Sequence, residues 1–137
     1  MRSAERNMER KLVDANVILR YLLRDDEPLF QKAAEVFEKV RTGEEKVVIL
    51  ESVLTECVYV LLRIYRVNRS AIAEKLGGLL YYKGVVNIDK QDLIDSIHLF
   101  GQTGLSFVDC LLCAKSKNNA MPMVTFDEEL KKVSKKS

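Results

Sequence analysis

Short apolar runs alternate with longer stretches of helical periodicity along this chain, and that alternation leaves few folds open. The runs are Lys11–Val13, Val47–Leu50, Val85–Ile88 and Met123–Phe126. Val47-Val48-Ile49-Leu50 is apolar without a break, as a parallel strand covered on both faces is. Between the runs, apolar residues recur at spacings of three and four, the period of a helix with one buried face. Strands alternating with helices imply a parallel sheet covered by helices on both sides. The expected fold is α/β, a single domain over residues 1–137.

Seven helices are expected. Asp14–Arg24 carries Val17, Ile18, Tyr21 and Leu22 on one stripe. Pro28 suits the first turn of a second helix reaching about Arg41, which buries Ala33, Ala34, Phe37 and Val40. Ser52 can cap a helix continuing to about Tyr65, and Ser70 one over Ala71–Tyr82. Lys90–Phe100 is amphipathic, Gly101 and Gly104 bracket a loop, and Ser106–Asn118 reads as a helix. Asp127–Val133 closes the chain. Met1–Arg10 is a charged leader, and residues 134–137 form the end of a basic tail expected to fray. Right-handed crossovers favour a strand order 3-2-1-4, with the first and last strands side by side at a topological switch point.

Composition narrows the setting. A chain of 137 residues with 47% hydrophobic and 31% charged residues has the make-up of an ordinary globular domain. Its formal charge of +2 is too small to hold nucleic acid by a global field, so any such binding must come from local basic patches. The leader is too polar for a secretory signal, and Val53–Leu62, broken by Glu56, is too short to span a bilayer. Three cysteines, Cys57, Cys110 and Cys113, fit a reduced, cytoplasmic protein. Cys110 and Cys113 have the CxxC form, but they lie within an expected helix and the lone His98 has no paired ligand motif. Buried structural thiols are the expectation.

Four acids stand out. Asp14 and Asp127 each follow a strand and open a helix, at the strand ends where open α/β sheets bind ligands. Either could be only a helix cap. Glu56 is the lone carboxylate in Val53–Leu62, and Asp109 the lone acid in Phe107–Ala114. On helices this apolar, both are expected to be largely buried, which is costly unless they are paired or bound to a cation. A salt bridge or a narrow exposed stripe is the alternative for Glu56, and an ion pair with Lys115 or Lys117 for Asp109. Carboxylates brought together repel, and hard divalent cations with oxygen ligands resolve that repulsion. Asn16 and Thr125 are placed to orient a carboxylate or a water beside Asp14 and Asp127. Arg20, Arg24, Lys115 and Lys117 are candidate contacts to a phosphate backbone, with a solvated charged face as the alternative for each.

Together these segments resemble the PIN domain family, and most closely its VapC-type toxin ribonucleases. Val13–Leu22, Leu54–Leu61, Phe107–Leu112 and Val124–Leu130 are similar to the family's four motifs, in order, over about Lys11 to Val133. The resemblance implies a three-layer PIN-like fold, with room for a short fifth strand. It implies a Mg²⁺-dependent endoribonuclease, with Mn²⁺ as substitute and Asp14, Glu56, Asp109 and Asp127 as the acid cluster. It also implies a homodimer and a cognate VapB-type antitoxin covering the active-site groove. Many relatives carry further acids near the third motif, where this chain has Ser106, so a second metal site is not implied. The leader is also longer than in most relatives.

The expected mechanism is hydrolytic: in-line attack of water on an RNA phosphodiester at the acid cluster, leaving a 5′-phosphate and a 3′-hydroxyl. Two other readings compete. One is a non-catalytic PIN-like interaction or dimerisation module. The other is a phosphatase with Asp14 as nucleophile, which would normally want a second Asp where this chain has Asn16.

Overall fold

The sheet is small and the helices carry most of the packing. A computed structural model describes residues 9–136. Strand β1 (Arg10–Leu12) pairs in parallel with β2 (Lys46–Val48), with Arg10 opposite Lys46 and Leu12 opposite Val48. Helices α1 (Ala15–Leu23) and α2 (Glu27–Thr42) form the connection between them and pack on each other. Helix α3 (Glu51–Tyr59) runs into a π-helical turn over Val60–Ile64. Then come α4 (Arg69–Leu80), α5 (Lys90–Gln102), α6 (Phe107–Asn118) and α7 (Glu128–Lys136). The result is a helix-rich α/β fold with a parallel sheet.

Local chemistry sets most boundaries. Asp26 caps α2 by accepting from the Leu29 N–H, Pro28 occupies the first turn, and Gly43 ends the helix at φ 88°. Asn68 rather than Ser70 caps α4: its Oδ1 accepts from Ala71 N–H and from the Ser70 hydroxyl. Helix α3 starts at Glu51, so Ser52 lies inside the first turn and is not the cap. Gly101 lies within α5, not in a loop, and a Cβ there would sit 2.6 Å from that of Ala73 on α4. The bare backbone lets α4 and α5 approach. Ile18, Phe37, Val47, Ile49, Leu54 and Phe100 are buried in one continuous core.

The third and fourth expected strands differ from expectation, each for a visible reason. Val85 makes one parallel bridge to Val47, on the side of β2 away from β1. Beyond it the Asn87 side chain replaces backbone pairing. Its Oδ1 accepts from the Ile49 N–H at 2.9 Å and its Nδ2 donates to the Ile49 carbonyl at 2.6 Å. Ile88 is left fully exposed. Met123–Phe126 forms no strand, and Val124 and Phe126 are 95% and 96% exposed. Among the described residues nothing therefore pairs with the outer edge of β1, and Leu12 is 71% exposed.

At the C-terminus, residues 134–136 continue α7 rather than fray; Ser137 and residues 1–8 of the leader lie outside the described residues. No helix among the described residues is long and apolar enough to cross a membrane.

Candidate active site

Asp14 follows β1 and caps α1: its Oδ1 accepts the Val17 N–H at 3.0 Å. One carboxylate oxygen is thereby held in place, and the residue remains exposed beside an open groove. That groove, about 480 Å³, is lined by Leu12, Val13, Val36, Leu50 and Val53. Asp127 stands in the same relation to α7, accepting from the Leu130 N–H at 3.0 Å. Thr125 does not reach the Asp127 carboxylate; its hydroxyl accepts the Asp127 backbone N–H. Asn16 is exposed.

Glu56 departs from the burial expected of it. It lies on an exposed stripe of α3 and its continuation, with Ser52, Tyr59 and Arg63, while Leu54, Cys57, Val58 and Leu61 take the core side. The apolar residues of this stretch cover most of its circumference but leave that stripe free. Asp109 is half-buried in the first turn of α6, whose N-cap is Ser106, bonded to the Asp109 N–H at 3.2 Å.

The thiols report how these charges lie. Cys57 is free and buried, and its Sγ faces the Ala15 carbonyl at 3.9 Å. Burial, then the charges of Glu56 and Asp14, push its pKa up to about 12. Asp14 and Glu56 thus act on one buried group between α1 and α3. Asp109 acts on Cys113, whose pKa is raised first by burial and then by that carboxylate. Helices α3 and α6 are in contact, so the second and third acids stand on touching elements. Asp127 stands at the exposed start of α7. Among the described residues no three His, Cys, Asp or Glu side chains are gathered closely enough to hold a metal ion. The donor chemistry, carboxylate oxygens throughout, is nevertheless what hard divalent cations take.

The candidate cations separate clearly. Arg20 is tied down, with Nη1 2.9 Å from Asp25 and Nη2 donating to the Tyr65 hydroxyl. Arg24 pairs with Glu27 at 3.0 Å and lies over the Phe30 ring. The Lys115 ammonium sits among Glu51, Asp89 and Asp92, at 3.2, 3.7 and 3.5 Å, joining the starts of α3 and α5 to α6. Lys117 is exposed and has no ion pair among the described residues. Tyr59, 60% exposed, and Arg63 share the stripe of Glu56 and were not singled out by the sequence reading. Their spacing from Glu56, three and seven residues, is the signal that would have found them.

Comparison with known proteins gives the family of the chain. The PIN domain family matches residues 11–136, a span that contains all four acids. A protein of Aquifex aeolicus (strain VF5) named VapC ribonuclease is 29% identical over 125 residues, 90% of this chain and 91% of the relative. No solved structure matches the chain. With its strand-to-acid junction at Asp14 and a family match over nearly its whole length, the chain belongs to the PIN domain family.

Proposed function

We propose that this protein is an endoribonuclease of the VapC type, hydrolysing RNA phosphodiester bonds with Mg²⁺ or Mn²⁺ held by Asp14, Glu56, Asp109 and Asp127. The observation that carries the reading is the PIN domain match spanning all four acids, beside a relative named VapC ribonuclease that is 29% identical over 90% of this chain. The strand order belonging to it is 3-2-1-4 in a three-layer fold, which sets a fourth strand beside β1 and Asp127 beside Asp14. The proposal includes a homodimer, a VapB-type antitoxin and a cytoplasmic setting.

A bound divalent cation lowers the pKa of water and offsets charge building on the phosphate. The chain's own residues do the rest. The α1 N-terminus fixes the orientation of Asp14 through the Val17 N–H, so the carboxylate needs little reordering when it acts. Arg63, on the stripe of Glu56, and Lys117, on the helix of Asp109, are exposed and without ion pairs among the described residues, and both are offered here as contacts to the RNA backbone. Tyr59 offers a ring on which a base can stack. Arg20 and Lys115, engaged inside the protein, have structural work instead.

The test is cleavage of a labelled single-stranded RNA pool in Mn²⁺, Mg²⁺ or EDTA, beside Asp14→Asn and Glu56→Gln. Metal-dependent cutting lost in both variants is expected. A folded protein that neither cuts RNA nor gains melting temperature with Mn²⁺ is an interaction module, and the proposal fails.

A further inference from the structure

Helices α5 and α6 run antiparallel and leave a pocket between them. At one end the Phe100 ring meets Phe107 edge to face, with centroids 6.1 Å apart, and at the other the Asn118 amide donates to Asp95 at 2.9 Å. The pocket encloses about 240 Å³. Its floor is apolar: Leu99 is half-buried, and Cys113 and Ala114 are buried. Its rim carries His98, Gln102 and Lys117, all exposed. These three side chains make no hydrogen bond or ion pair among the described residues. Asp95, also on the rim, is already engaged by Asn118 and by the Gln91 amide, at 2.8 Å. Lys117 is left as the unengaged charge of the pocket among the described residues.

An apolar floor ringed by unused polar heads is the make-up of a small-ligand site, and the heads indicate the ligand. The Lys117 ammonium has donors only and wants an anion. The Gln102 amide offers both a donor and an acceptor, and so does a neutral imidazole at His98. A flat apolar face, an edge that donates and accepts, and an adjoining negative charge occur together in a nucleotide. Bases of single-stranded RNA are recognised through that edge. A purely anionic ligand would make no use of the floor, and a purely apolar one no use of the rim.

The pocket also lies where a strand bound at Asp109 would pass. Asp109, Cys113 and Lys117 are spaced by four residues on α6, so they follow one another along one face. From Asp109 to Lys117 the helix rises about 12 Å. The antiparallel packing sets Gln102 toward the Asp109 end of the pocket and Asp95 toward the other. We propose that this pocket receives the base of an RNA nucleotide next to the cut, read by Gln102 and His98 over Leu99, Cys113 and Ala114, with the phosphate beyond it held by Lys117. A ring such as Tyr59 stacks on any base, because every base has a face; the pocket adds a choice among them. That the base belongs to a substrate rests on the ribonuclease reading; the affinity of the pocket for a nucleotide does not.

The experiment uses the full chain and a double variant, His98→Ala with Gln102→Ala, both at exposed positions. Backbone amide NMR first follows titration with each nucleoside 5′-monophosphate in EDTA, so that no metal holds the phosphate. Amides far from the pocket report that the variant is folded. Saturable shifts centred on Cys113 and Ala114 are expected, with one base binding about tenfold more tightly than the weakest and the variant losing that difference. No saturable shift there, or the same response to inorganic phosphate alone, overturns the pocket. The ends of a cleaved random single-stranded RNA pool are then sequenced. Native protein is expected to favour one base at a fixed position beside the cut by about tenfold, and the variant to come within about twofold of even. A preference that the variant keeps, or none in the native protein, overturns the part of the pocket in choosing the cut. If native protein does not cleave at all, the ribonuclease reading fails and the titration still decides the pocket.

Discussion

Replacing Asn87 by Leu should destabilise the protein although it puts a hydrocarbon into a buried place. Asn87 is 9% exposed and gives the Ile49 backbone both of its partners, at 2.9 and 2.6 Å. Ile49 has no exposure, so neither group can turn to water when the amide is removed. Each stranded group costs about 1–3 kcal/mol, or about 2–6 kcal/mol for the pair. Added apolar burial returns up to about 2 kcal/mol, leaving a net loss centred on about 2 kcal/mol from a total of about 5–15. With a urea dependence of about 1–3 kcal/mol per molar, the midpoint followed by circular dichroism should fall by about 1 M. Exchange of the Ile49 amide hydrogen should accelerate. An unchanged midpoint and a still-protected amide would refute the idea that this side chain stands in for a strand.

Gly84→Ala should also lose stability, by more than about 2 kcal/mol, because the new Cβ would lie 2.0 Å from the Glu45 carbonyl oxygen. Urea unfolding measures it. Asp14→Ala should lower stability by about 1 kcal/mol through loss of the cap, whereas Asp14→Asn, which caps as well, should leave the melting temperature unchanged. Both should abolish cleavage, which separates structure from chemistry. Cys57 should resist alkylation in the folded protein near neutral pH, since its pKa of about 12 keeps it protonated. With the folded pKa raised above the unfolded value of about 8.5, its contribution is fully present below that value and is lost as pH rises toward about 12. Alkaline unfolding of native and Cys57→Ala proteins compares the two slopes.

The helices were largely legible because their signals are local. Pro28 in a first turn, Ser106 as a cap and Asp14 and Asp127 opening helices all lie within a few residues of what they govern. The sheet was less so. Val85–Ile88 has the composition of a strand, but Asn87 offers a side-chain substitute for the ladder, and composition does not reveal which group bonds Ile49. Met123–Phe126 has strand alternation but pairs with no strand among the described residues, and pairing is a non-local event. Glu56 lies on the narrow exposed stripe that its sequence left open as the alternative to burial, because the apolar residues around it do not close the helix circumference. The acids themselves were recognisable in order. Gathering them, as the proposed function requires, would depend on contacts between elements far apart in the chain.

Water as the attacking group is the claim at the centre of this account, and the ends of the cleaved RNA read it directly. Products of a purified reaction with Mn²⁺ would be examined for 5′-phosphate and 3′-hydroxyl ends, beside a substrate with 2′-deoxyribose at the cut position. Attack by water predicts 5′-phosphate and 3′-hydroxyl ends and continued cutting of the deoxy substrate. Cyclic 2′,3′-phosphate ends, with the deoxy substrate left intact, would show that the ribose hydroxyl attacks and would contradict the proposed carboxylate site.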